Sequence, residues 1–159
     1  MKENLLDVLM YLFENYVSEE IPLQANKQII KTEMVTAGFQ HDRVYEAFEW
    51  FDVLKKSAIE FGKNKSTSTQ NVRIYSPPEL AKITPEARGC ILYLEQTGIL
   101  DMRTRELIID RVMALAEPVI EVSEIKWVSL LVLYNLPERS EQIGWLEDFV
   151  FNEPCEIQH

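Results

Sequence analysis

Metal binding and nucleophilic catalysis each need a few particular side chains at close spacing, and this sequence offers few candidates. The two histidines, His41 and His159, lie at distant points of the chain, and Cys155 stands near His159 with no further pair of ligands at zinc-like spacing. Cys90 sits in an apolar run with Ile91 and Leu92 and reads as a small buried hydrophobe. No glycine-rich phosphate loop, nucleophile elbow or His-Glu-x-x-His helix is present in the sequence. Carboxylates are plentiful, yet their spacing singles out no acid–base pair. The expectation is a chain without metal, cofactor or catalysis of its own.

What remains are residues suited to holding another macromolecule. The stretch Met34-Val35-Thr36-Ala37-Gly38-Phe39 joins two helical segments by a short turn, and three readings of it stay open. One is a helix-turn-helix with Asp42 to Lys55 as recognition helix. Another is a ubiquitin-associated-type bundle whose Gly38-Phe39 loop shows an apolar patch to a protein. The third is a plain helical hairpin with Phe39 in the core. Charge favours protein over DNA, because Asp42, Glu46, Glu49 and Asp52 recur along the would-be recognition helix against only Arg43, Lys55 and Lys56. Tyr11 and Tyr45 lie off the main apolar faces of their helices and join Gly38 and Phe39 as candidate protein-binding residues, unless another part of the chain covers them.

The basic residues offer a second reading. Lys63, Lys65 and Arg73 form the one basic cluster, able to touch phosphates from a flexible tether or simply to keep a loop solvated. Arg88, Arg103, Arg105 and Arg111 sit among apolar helices, where arginine commonly pairs with carboxylates. Asp101 with Arg105 and Arg103 with Glu106 have the right local spacing. The alternative function is direct binding of RNA or another single strand through Lys63, Lys65, Arg73, Arg103 and Arg105.

The elements that position these residues are helices. Leu5, Val8, Leu9, Leu12, Phe13 and Tyr16 mark one face of an amphipathic helix, with Lys2, Glu3, Asp7, Glu14 and Asn15 opposite. A second helix is expected from about Leu23 to Ala37, with Ile29, Ile30, Met34 and Ala37 inward and Gly38 at its C-terminal turn. The third starts near Asp42, with Val44, Ala47, Phe48, Phe51 and Leu54 inward and Trp50 and Val53 widening the stripe. Residues 63–72 are polar and basic and read as a flexible linker between an N-terminal unit (1–62) and a C-terminal helical unit (73–159). In the second unit, Ser76-Pro77-Pro78-Glu79 is a capping box with proline at the helix start. Further helix starts fall at Thr84, Asp101, Ser123 and Ser140. Val119 to Val122 is extended and can pair with Arg73 to Tyr75, giving at most one short strand pair. The helix from Ile125 to Leu136 is apolar nearly all round and should be wrapped by the others. The fold class expected is all-α or nearly so.

Composition agrees with a soluble helical protein. Only 5 glycines and 7 prolines punctuate 159 residues, too few for a chain of many turns. The net charge of −10 is widespread, with −5 over residues 1–62 and −8 over residues 74–159 around a +3 segment. Such a field repels phosphate backbones and anionic lipid, so duplex DNA is disfavoured as a ligand. The apolar run from Trp127 to Leu136 is about half the ~20 residues of a membrane helix, and Glu3, Asp7 and Glu14 break up the N-terminal segment. A cytoplasmic location without membrane association is expected.

Several stretches together resemble the bacterial Smg proteins. They include Asp7-Val8-Leu9-Met10-Tyr11-Leu12-Phe13-Glu14-Asn15-Tyr16, Ala37-Gly38-Phe39 followed by Trp50, and Arg73-Ile74-Tyr75 with Pro78-Glu79. Arg88-Gly89 with Leu94-Glu95-Gln96 continues the likeness, as do Thr104-Arg105-Glu106 with Arg111-Val112 and Ala114-Leu115. Lys126-Trp127-Val128 and Asn135-Leu136-Pro137 complete it, so the resemblance spans essentially the whole chain. It implies little about mechanism. Genes of that family often lie near one for a DNA-processing protein, which implies an association with nucleic-acid processing and nothing about a surface. The function expected is a non-catalytic adaptor or regulator that binds another protein.

Overall fold

The computed structural model describes residues 4–17, 26–63, 73–136 and 140–152. Eight α-helices and no strand are found among them, so the fold is all-α. The chain divides into two compact units, residues 1–53 with 115–117 and residues 54–114 with 118–159. The expected linker, residues 63–72, lies outside the described residues except for Lys63.

In the first unit, α1 (Leu5–Leu12) begins with a capping box. The Asp7 amide donates to Asn4 Oδ1 at 2.8 Å and the Asn4 amide to Asp7 Oδ2 at 3.3 Å. Its apolar face buries Leu5, Val8, Leu9 and Leu12, and the chain continues into a π-helical turn, Phe13–Val17. The second helix, α2, runs from Lys27 to Thr36 and buries Ile30 and Met34, which are four residues apart. Ile29 was expected inward but is 61% exposed, and Ala37 is exposed too. Adjacent residues on a helix lie about 100° apart, so Ile29 falls off the stripe that Ile30 and Met34 define.

Gly38 closes α2. Its φ of +109° is left-handed, and the amides of Gly38 and Phe39 donate to the carbonyls of Val35 and Met34, both at 3.1 Å. That is a Schellman motif, and it needs the residue without a Cβ at Gly38. Gly98 ends α5 in the same way, at φ +83°. Helix α3 (His41–Lys63) buries Val44, Ala47, Phe48, Trp50, Phe51, Leu54 and Ala58. Val53, expected to widen that stripe, stays 43% exposed while Trp50 does not.

The second unit is organised by α7 (Val122–Tyr134), whose residues from Ile125 to Leu133 are all buried. It packs against α5 (Pro85–Gln96), α6 (Met102–Met113) and α8 (Ser140–Asn152). A helix surrounded in this way is expected to be apolar nearly all round, and its buried residues are so apart from Lys126 and Ser129. The short α4 (Pro77–Lys82) starts with the Ser76–Glu79 capping box, α5 with Thr84 and α6 with Asp101. The extended run near Val119 takes a different partner from the one expected. Ile120 pairs with Ile83 in a single parallel bridge, instead of with Arg73 to Tyr75. Both isoleucines are fully buried, while the segment from Arg73 is tied by its arginine to carboxylates on α4 and α6.

Candidate functional site

The protein-binding candidates of the first unit fall into two groups. Tyr11 and Phe39 meet with ring centroids 4.7 Å apart, tilted at 57°, and both are half-buried. Phe39, held by the Gly38 turn, therefore covers part of α1 and is neither an open patch nor fully core. Tyr45 behaves differently. It is 49% exposed on α3, with the Lys31 ammonium 4.9 Å from its ring centroid.

Tyr45 also walls a cleft of about 250 Å³ between α2 and α3, with Lys31, Thr32, Val35, His41 and Val44 around it. Val35 is 41% exposed at the rim. Beyond the cleft, α3 carries the exposed Asp42 and Glu49, while Asp52 meets Lys27 at 3.2 Å and Glu46 meets Arg43 at 2.8 Å. Elsewhere in the unit Tyr16 donates to Glu33 at 2.7 Å, and burial together with that carboxylate pushes the phenol up to about 12.

The arginines of the second unit form a chain of ion pairs. Arg73 grips Glu79 with both terminal nitrogens, at 2.8 and 2.9 Å, and donates from Nε to Glu106 at 2.6 Å. The same Glu106 oxygen accepts from Arg105 Nε at 3.0 Å, and Arg105 reaches both oxygens of Glu95 at 3.0 Å. The segment from Arg73, α4, α5 and α6 are thus stitched together, and Arg105 is buried by the arrangement. Arg73 holds the Glu79 carboxyl down to about 2, helped by the Ser76 backbone amide. Burial raises the Tyr75 phenol, against the pull of the nearby guanidinium groups.

Spacing offered Asp101 as a partner for Arg105. The Asp101 carboxylate is the N-cap of α6, accepting from the Thr104 amide at 2.8 Å and its hydroxyl at 2.9 Å. Arg111 pairs with Asp110 at 2.9 Å, and the Arg88 guanidinium lies 5.9 Å from the Tyr75 ring. Arg73, Arg103 and Arg105 line one groove of about 660 Å³ with Ile74, which is 91% exposed. The fold therefore gathers three of the five nucleic-acid candidates. Lys63 ends α3 with its side chain undescribed, and Lys65 lies outside the described residues.

One cluster escaped sequence reasoning. Tyr93 on α5 and Trp145 on α8 each stack on Phe149 of α8, at 6.0 Å and 27° and at 5.2 Å and 20°, while Tyr93 and Trp145 meet at 6.3 Å with their planes tilted by 41°. The signal was faint: both outer rings sit beside the buried residue of their helix, Tyr93 next to Leu94 and Trp145 next to Leu146. Among the described residues no group of three or more His, Cys, Asp or Glu side chains is placed to hold a metal ion. No helix among them is long and apolar enough to cross a membrane.

Known proteins supply the context. The family described as "Protein of unknown function (DUF494)" matches residues 5–159. A "Protein Smg homolog" of Nitrosococcus oceani is 42% identical over the full length of both chains. Those of Thioalkalivibrio sulfidiphilus and Halorhodospira halophila are 39% and 40% identical, again end to end. No solved structure matches. Matched by the family model over residues 5–159 and by these relatives from end to end, the chain belongs to the Smg family.

Proposed function

We propose that the chain works by binding another protein in the cytoplasm, without chemistry of its own, through the cleft between α2 and α3. The cleft carries this reading. At about 250 Å³ it lies below the ~300–1,000 Å³ of small-molecule sites, and it suits one or two apolar side chains of a protein ligand. Val35 and Val44 supply apolar walls, and Tyr45 supplies the kind of aromatic anchor that dominates protein interfaces. Charged groups of the second unit are occupied with one another, which leaves Arg73 and Arg105 poorly suited to acid–base work or to phosphates. The pairing of Arg73 and Arg105 also weighs against the alternative of RNA binding through Arg73, Arg103 and Arg105. A role in nucleic-acid processing would then run through the protein partner.

The test is capture of partners from the organism's own lysate by the tagged full chain, compared with Val35→Glu and Tyr45→Ala. Both positions are more than two-fifths exposed, so neither change should unfold the protein. The reading requires a protein that co-purifies with the wild type and is lost from both variants. Equal recovery by all three proteins would move the interface elsewhere, and recovery of nucleic acid alone would refute protein binding.

A further inference from the structure

The stacked rings on α5 and α8 form a surface on the second unit, separate from the cleft. Trp145 is held against Phe149, which is buried, yet 37% of Trp145 and 38% of Tyr93 remain exposed. Their surroundings are acidic. Glu141 and Asp148, four residues before and three after Trp145, share its side of α8, and both are exposed. The cluster already accommodates one cation from within, because the buried Lys126 ammonium lies 4.5 Å from the Phe149 ring centroid.

An exposed aromatic platform can stack nucleotide bases when basic residues flank it to hold the phosphates. Here the flanks are carboxylates, and residues 74–159 carry a net charge of −8. Phosphates are repelled by such a surface and cations are drawn to it. A flat guanidinium satisfies both features at once, stacking on an indole while donating to a neighbouring carboxylate.

We propose that the Trp145–Tyr93 face takes an arginine or lysine side chain from a basic protein segment. It is a second contact, independent of the α2–α3 cleft, and either surface can fail its test while the other stands.

The experiment titrates the isotope-labelled full chain with a blocked Gly-Arg-Gly-Arg-Gly peptide and, separately, with oligouridine, following backbone and indole N–H resonances. The peptide should move the Trp145 indole signal saturably. Trp145→Ala should weaken that binding about tenfold, the size of a partly desolvated cation–π contact, and Trp145→Phe should restore part of it. Glu141→Gln changes an exposed carboxylate in the first turn of α8 and should weaken binding several-fold while flattening its salt dependence. Shifts scattered over the surface and indifferent to Trp145→Ala would reduce the effect to diffuse charge attraction and overturn the proposal. Oligouridine moving the same resonances at physiological salt, with the peptide silent, would overturn it in favour of base stacking.

Discussion

Replacing Glu79 by alanine should cost the second unit about 2–3 kcal/mol, and the structure says where that comes from. The carboxylate accepts from the Ser76 amide at 2.9 Å, half of the capping box that starts α4, and such caps are worth ~1 kcal/mol. It also receives both terminal nitrogens of Arg73, at 2.8 and 2.9 Å, with side-chain exposures of only 18% for Arg73 and 14% for Glu79. Hydrogen bonds to charged groups contribute ~1.5–3 kcal/mol, and partial solvent access places this one at the low end. Arg73 would keep Glu106, so no guanidinium is orphaned and the loss should not grow further. Glu79→Gln, which keeps an acceptor for Ser76, should cost about half as much. The acid limb is equally specific. The folded carboxyl is held at about 2 against an ordinary value of 4.5, so its stabilisation is complete above that ordinary value and is lost as pH falls towards 2. Urea unfolding of the wild type and Glu79→Gln at a series of pH values checks this. A gap under ~0.5 kcal/mol at neutral pH, the range of ordinary surface changes, would refute the reasoning. So would a gap that does not narrow in acid.

Three further outcomes are expected. Trp127→Ala should destabilise by ~3–5 kcal/mol in urea, since it empties a large site on the central helix; a loss under ~1 kcal/mol would mean the indole is not packed. Phe39→Ala should cost a more modest ~1–2 kcal/mol because the ring is half-buried against Tyr11, and it should be non-additive with Tyr11→Ala in a double-mutant cycle. Labelled duplex DNA should show no submicromolar binding at physiological salt, given a net charge of −10 and an acidic α3; tight binding there would revive the helix-turn-helix reading.

Local signals in the sequence located local structure well. The Ser76–Glu79 capping box, the glycine ending α2, and the apolar helix around Trp127 all act between residues a few positions apart. Choices between neighbours were harder: Ile29 and Ile30 look alike in type, and only the register of α2 against the core decides that Ile30 goes in. Pairings between distant segments were not legible. Arg105 finds Glu95 across the turn between α5 and α6, Arg73 finds Glu106, and Ile120 finds Ile83. The stacked Tyr93, Trp145 and Phe149 come from helices about fifty residues apart, so no window of sequence contains them. Tyr45 was legible as an aromatic off its helix's apolar face, but the cleft beside it depends on how α2 and α3 approach after Gly38.

Protein binding through the cleft is tested most directly by placing a photo-crosslinking benzoylphenylalanine at position 45 and irradiating living cells. The position is half-exposed and walls the cleft, so a ligand seated there lies within reach of the probe. The expected result is one discrete, nuclease-resistant adduct with another protein, abolished when Val35→Glu is added to the same chain. Absence of any protein adduct, an adduct that nuclease removes, or one that survives Val35→Glu unchanged would contradict it.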